Sequence, residues 1–205
     1  MKIDMVKKIF GFNAVREKFC DNCPDTSMMM NEPEYFMDIS VELQNRPSLQ
    51  WALSDFFAQK PIESLFCDNC DKYGPGKMQY HIKAPPAVLV FHLKRFYRDS
   101  KGVLKKVTDI IPLSLSLDMS PFVQNSNSGS ITYELRSTIN HVGDEALKGH
   151  YTAFIQAANL SFFCFNDSSV TRIATEDVLE SKVPFIIFYE MVSSSWSAQK
   201  SGQSF

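Results

Sequence analysis

The chain has 205 residues, 44% of them hydrophobic and 21% charged, with a formal net charge of -2 and a sequence pI near 6.1. That length and apolar content suffice for a buried core in one or two small domains, and the near-neutral charge argues against the basic footprint that a nucleic-acid partner demands. No apolar run reaches the roughly 18 residues of a membrane span, and residues 1–8 alternate charged and apolar where a signal peptide needs an unbroken apolar stretch. The expectation is a monomer of a reducing compartment, cytoplasmic or nuclear, with neither nucleic acid nor membrane as partner.

In chain order, residues 9–23 read as a strand running into a cysteine turn, and 34–43 alternate well enough for a second strand. After Pro47, Ser48 is a fitting N-cap for a helix whose Leu49, Leu53, Phe56 and Phe57 share one face. Lys60-Pro61 ends it, and a second cysteine turn follows. Pro85-Pro86 introduces a β-rich run over 87–96, read as a strand buried on both sides. Residues 98–106, charged and carrying Gly102, read as a loop or hairpin tip, and 118–130, rich in Ser and Asn, as a flexible connection. Strands are predicted over 133–141, 150–157, 161–166 and 183–191, with a short helix over 175–181 and a disordered tail over 193–205.

The phrase Phe-Cys-Asp-Asn-Cys occurs twice, at Phe19–Cys23 and at Phe66–Cys70. A Cys-x-x-Cys turn aims two thiolates at one point, and two such turns supply the four sulfurs that a tetrahedral zinc ion accepts. Cys20, Cys23, Cys67 and Cys70 are therefore read as ligands of one structural zinc, the bland alternative being four buried thiols. A closed four-sulfur set implies structure and not catalysis. Only Cys164 remains for thiol chemistry.

A second constellation is His150 with Asn166 and Asp167. If 150–157 and 160–166 form a hairpin turning near Ala158-Asn159, His150 lies opposite Asn166 or Asp167. A side-chain oxygen there would fix the tautomer and orientation of the ring, as a general base acting on a thiol requires. A lone histidine near a turn is more often structural. Gly149 lets the chain approach closely at that point.

These residues carry a family resemblance. The stretch 133–143 with His141 and Gly143, then Gly149-His150-Tyr151, then 165–170 with Asn166 and Asp167, and finally 185–190 with Tyr189, resembles the histidine box of the ubiquitin-specific proteases. Residues 88–96 resemble the strand that precedes that box, and the cysteine pairs sit where the family's zinc fingers sit. The resemblance covers 9–192 and implies an α+β, mainly antiparallel, papain-like cysteine protease fold with fingers over about 9–80 and a palm over about 81–192. It also implies cleavage of the bond after the C-terminal glycine of ubiquitin, with ubiquitin and ubiquitinated proteins as partners. Under it His150 would be the general base, Asn166 the residue orienting it and Asp167 an accessory polar group, while Gly149 and Tyr151 would contact substrate. Residues 96–107 and 143–149 would border the channel for the ubiquitin tail, and Cys20, Cys23, Cys67 and Cys70 would hold zinc at the fingertips.

The family's cysteine box has no counterpart before Ile9, so the expectation is a fold lacking the thumb and a chain lacking its nucleophile. Cys164, between Phe163 and Phe165, reads as a small packing residue, and Phe162 stands where the family usually has tryptophan. The competing expectation is a non-catalytic ubiquitin-binding or scaffold module built on fingers and palm. Of the other polar residues, His81 and His92 read as structural, His141 as packing or a neighbour of the site, residues 28–30 as an ordinary loop, and Lys105-Lys106 as a solvated charge pair.

Overall fold

The computed structural model describes residues 4–23, 27–29, 33–44, 46–124, 130–145 and 148–194. The elements run α1 (Met5–Phe10), β1 (Phe12–Cys20), β2 (Ser27–Met29), β3 (Glu34–Phe36), β4 (Ile39–Glu42), α2 (Leu49–Phe56), β5 (Lys60–Cys67) and β6 (Lys72–Ala84). They continue with β7 (Val88–Lys94), β8 (Phe96–Arg98), β9 (Leu104–Lys106), β10 (Ser116–Asp118), a 3-10 turn (Ser120–Phe122), β11 (Ile131–Val142) and β12 (His150–Gln156). The last are β13 (Phe162–Asn166), β14 (Ser169–Ile173), α3 (Thr175–Leu179) and β15 (Pro184–Ser194). The architecture is α+β and dominated by antiparallel strands, as expected.

Two sheets organise the chain. The smaller has the order β2-β1-β6-β5, with β3 also paired to β1, and carries both cysteine turns at one end. The larger has the order β14-β13-β12-β11-β15-β7-β4, with β10 added beside β11. All its pairings are antiparallel except β4 with β7. One apolar core joins them: Phe12 and Ile82 from the small sheet, Leu53 and Phe57 around α2, and Leu89, Phe91, Leu135 and Tyr189 from the large sheet all lie inside. The Phe57 and Phe122 rings stack with centroids 4.7 Å apart, closing the junction. A separate small cluster of Cys20, Leu65 and Cys67 lies at the far end of the cysteine-bearing sheet.

Several local expectations are corrected. Residues 34–43 split into β3 and β4, because Phe36 pairs with β1 whereas Ile39 pairs with Phe91 of β7, so the chain changes sheets between them. Ile9 and Phe10 belong to α1, a six-residue helix in which these two are half-buried and the Phe10 ring meets Phe188 edge-on. The strand over 87–96 ends at Lys94, and it is buried on one face only: Leu89, Phe91 and Leu93 are inaccessible, while Val88, Val90 and His92 are half-buried. Part of the expected flexible connection is ordered as the 3-10 turn, and residues 125–129 lie outside the described set. Ser193 and Ser194 continue β15 beside β11, while 195–205 and residue 30 lie outside the described residues; residues 28–29, read as loop, pair with β1 as part of β2. The α2 reading holds: the Ser48 hydroxyl accepts from the Trp51 N–H.

Candidate functional site

At the tip of the small sheet, β1 delivers Cys20 and β5 delivers Cys67, and each turn then brings its second cysteine back beside the first. The Cys23 N–H donates to the Cys20 carbonyl and the Asp71 N–H to the Cys67 carbonyl, closing both turns. Asp71 sits at φ 53°, in the left-handed region that Asp tolerates. All four Sγ atoms lie within 4.8 Å of one another. Cys20 to Cys70 is 4.0 Å and Cys23 to Cys67 is 3.9 Å. A tetrahedral ion with Zn–S bonds of about 2.3 Å separates its sulfurs by about 3.8 Å, whereas a disulfide needs about 2.05 Å. The spacing therefore fits a four-thiolate metal centre and no disulfide. The backbone N–H groups of Cys70 and Asn69 help to pull the Cys67 thiol down to about 7, and burial with the neighbouring sulfurs pushes Cys23 up to about 12. Three further thiolates beside one are tolerable only around a positive charge.

The second site lies at one end of the large sheet. β11 and β12 form a hairpin in which Val142 pairs with His150 and His141 with Tyr151. β12 pairs in turn with β13, Ala153 opposite Phe165 and Phe154 opposite Cys164. That register differs from the expectation. The turn is longer, with Leu160 at φ 64° and Ala157 N–H donating to the Ser161 carbonyl, so the strands pair one to two residues further along. Asn166 is thus a diagonal neighbour of His150, on the same sheet face and within reach. His150 Nε2 and Asn166 Oδ1 are 2.6 Å apart. Because an amide oxygen only accepts, Nε2 carries the hydrogen, and in the neutral ring Nδ1 presents its lone pair. Asp167 Oδ2 is 3.7 Å from Nε2 and 80% of that side chain is exposed, so its influence is a solvated one. Asp167, at φ 52°, turns the chain between Asn166 and its partner Ser169, which fixes Asn166 at the last position of β13.

Behind His150 the packing is tight. His141 is buried and makes edge contacts with Phe96 and Tyr151, at 5.2 and 5.1 Å between centroids. A Cβ on Gly149 would lie 2.1 Å from His141 Nε2 and 2.9 Å from the Val142 carbonyl, so only glycine admits the chain there. Tyr151 is 55% exposed beside it. Burial, then the Lys106 ammonium, holds His141 below the usual histidine range. Cys164 packs against the main core, and among the described residues no cysteine is hydrogen-bonded to His150. His81 pairs with Glu17 at 3.2 Å, and His92 Nδ1 lies 3.1 Å from Ser40 Oγ, both remote in sequence. The solvated-pair reading holds for Lys105 alone. Lys106 is half-buried and donates to the carbonyls of His141, at 2.8 Å, and Gly143. No spacing rule links residues so far apart, so sequence reasoning missed it.

The family model for ubiquitin carboxyl-terminal hydrolases matches residues 2–189. Among curated relatives, ubiquitin carboxyl-terminal hydrolase 21 of Arabidopsis thaliana is 33% identical over 198 residues, which are 95% of this chain and 26% of the relative. Ubiquitin carboxyl-terminal hydrolase 8 of Saccharomyces cerevisiae is 29% identical over 196 residues, 90% of this chain and 41% of the relative. In the solved SAGA Ubp8/Sgf11/Sus1/Sgf73 DUB module bound to ubiquitin aldehyde, the matching chain superposes with a TM-score of 0.85 at 26% identity, over 93% of this chain and 43% of its own length. The same module bound to monoubiquitin gives a TM-score of 0.86 at 27% identity, over 93% of this chain and 42% of its own. This chain thus spans between a quarter and half of these relatives.

Proposed function

The chain belongs to the ubiquitin carboxyl-terminal hydrolase family, and from that footing we propose that it carries the base and the orienting group of a cysteine-type deubiquitinase, acting after the C-terminal glycine of ubiquitin. The observation that carries this reading is the 2.6 Å contact between His150 Nε2 and Asn166 Oδ1. With Nε2–H committed to the amide, Nδ1 is the free base, and a nucleophilic thiol placed there gives up its proton to it. The thiolate attacks the carbonyl, and the imidazolium, held in place by Asn166, gives the proton to the amine as the C–N bond breaks; water, losing a proton to the same ring, then cleaves the thioester to a carboxylate and restores the thiol. Gly149 and Tyr151 flank His150 in the sequence and are assigned to substrate contact, with Asp167 an accessory polar group.

Cys20, Cys23, Cys67 and Cys70 are assigned to one structural zinc ion, which would tie the ends of the β1 and β5–β6 excursions together. The proposed division is fingers over about 9–80 and a palm over about 81–192; β4, inside the first range, pairs with β7 of the large sheet, and β6 of the small sheet runs on to Ala84. Among the described residues no helix is long and apolar enough to cross a membrane. Ubiquitin and ubiquitinated proteins are the proposed partners, and cytoplasm or nucleus the proposed setting.

The test is to treat the endogenous protein with ubiquitin bearing a thiol-reactive C-terminal electrophile and to map the adduct. A covalent adduct on a cysteine, lost when His150 is replaced by alanine, supports the reading. Binding of unmodified ubiquitin with no adduct would replace it with a non-catalytic ubiquitin-binding role.

A further inference from the structure

The β8–β9 hairpin forms a two-stranded sheet of its own, outside both main sheets. Its tip is self-contained: Asp99 Oδ1 accepts from the N–H groups of Lys101 and Val103, and Arg98 donates to the Gly102 carbonyl. Facing the hairpin is the end of β11, at His141 and at Gly143 just beyond it. Among the described residues, the hydrogen bonds between hairpin and strand end are those of Lys106 Nζ, to the carbonyls of His141 and Gly143.

Those acceptors are unmet by the sheet for a geometric reason. Within a strand, the N–H and C=O of one residue point toward the same neighbour. The His141 N–H donates to the Val183 carbonyl, so the His141 carbonyl also points to the β15 side, past the last ladder pair of Asn140 with Pro184. Gly143, at φ 116°, has already left the strand. An ammonium with several donors can satisfy both carbonyls where no backbone N–H arrives. Its surroundings otherwise disfavour a charge there: burial, then the Arg95 guanidinium, pulls Lys106 below the usual lysine range.

We infer that Lys106 is a positioning residue for His150: it clamps the end of β11 through the carbonyls of His141 and of Gly143 just beyond it, where His141 and Val142 pair directly with Tyr151 and His150 of β12, and so transmits the position of the β8–β9 hairpin to the His150–Asn166 pair. The chain of contact is short. Lys106 holds the His141 and Gly143 carbonyls, Val142 pairs with His150, Gly149 packs against His141 Nε2, and His150 bonds Asn166. A displacement of the hairpin would shift the backbone that carries His150. As an account of catalysis this rests on the proposed deubiquitinase reading; as an account of geometry it stands on the contacts alone.

The experiment uses the metal-loaded full chain, uniformly labelled, and reads the His150 side-chain nitrogens by NMR together with amide exchange at residues 141–143 and 150–152. Lys106→Met is expected to keep the fold and the metal, to broaden or shift the His150 nitrogen signals away from a fixed Nε2–H form, and to speed amide exchange in those segments about ten- to a hundredfold, the size of one lost charge-assisted hydrogen bond. Lys105→Met, which removes an exposed neighbouring charge, is expected to leave both readouts as in the wild type. A folded Lys106→Met variant with unchanged His150 signals overturns the inference, as does an equal response to Lys105→Met. If Lys106→Met fails to fold, the wild type decides: an Nζ signal without coupling across hydrogen bonds to the His141 and Gly143 carbonyls overturns it, and its presence supports it. Neither readout needs ubiquitin or turnover, so an inert ubiquitin probe would sink the deubiquitinase reading alone.

Discussion

Removing the metal from the four-cysteine cluster is expected to unfold the tip of the small sheet while leaving the large sheet intact. The apolar content of that tip is meagre: Leu65 is buried, and Ile62 packs against it partly covered. At about 1.5–3 kcal/mol for each buried aliphatic side chain, the pair contributes at most roughly 3–6 kcal/mol. Ordering the two four-residue turns, Cys20–Cys23 and Cys67–Cys70, costs about 1–2 kcal/mol per residue, or roughly 8–16 kcal/mol. A structural zinc contributes on the order of 10–16 kcal/mol, which offsets that cost, and without it the tip is short by several kcal/mol. The main core, which joins the two sheets, shares no residue with this cluster. The assay is hydrogen exchange before and after chelation, with metal content measured in parallel. The amides of Cys23 and Asp71, which close the two turns, should lose protection, while those of Leu135, Ile187 and Phe91 should keep it. Unchanged protection at Cys23 and Asp71 in demonstrably metal-free protein would refute the reasoning.

Three further outcomes are expected. Replacing His150 by alanine should leave the thermal midpoint within a degree or two, since the side chain is 47% exposed, yet under the proposed function it should lower deubiquitinase turnover about 10²- to 10⁴-fold; a large loss of stability would instead mark the residue as structural. Gly149→Ala forces a Cβ to within 2.1 Å of His141 Nε2 and should cost about 1–3 kcal/mol, read as a fall in the denaturant midpoint. His141 is held below its unfolded value of about 6.5 by burial and by Lys106. Its contribution to stability is therefore complete above about pH 6.5 and is lost as the pH falls from there toward the folded value. Urea midpoints measured between pH 7.5 and 5 should show this decline, and His141→Gln should flatten it.

Much of the site was legible because its signals are local. Two Cys-x-x-Cys turns converge by their own geometry, so four ligands of one cluster can be named without knowing how the sheet between them pairs. His150 and Asn166 are separated by one hairpin, and a diagonal contact tolerates the one- to two-residue error made in its register. The α2 start was readable from Ser48 because a cap is a property of adjacent residues. The strand over 34–43 was misread for the opposite reason: alternation reports that a chain is extended, not which sheet each half joins.

What the amino-acid order determined by itself was therefore short-range: which residues alternate, where turns and caps fall, which cysteines pair by spacing, and a family resemblance carried by successive short motifs. The tertiary structure alone decided the rest. It divided one extended segment between two sheets, it left the His141 and Gly143 carbonyls beyond the end of the β15 ladder, and it brought Lys106 from a separate hairpin to meet them. The physical reason is that an unpaired backbone carbonyl must find a donor wherever the fold places one, and that placement depends on strand order across the whole chain, which no local spacing encodes.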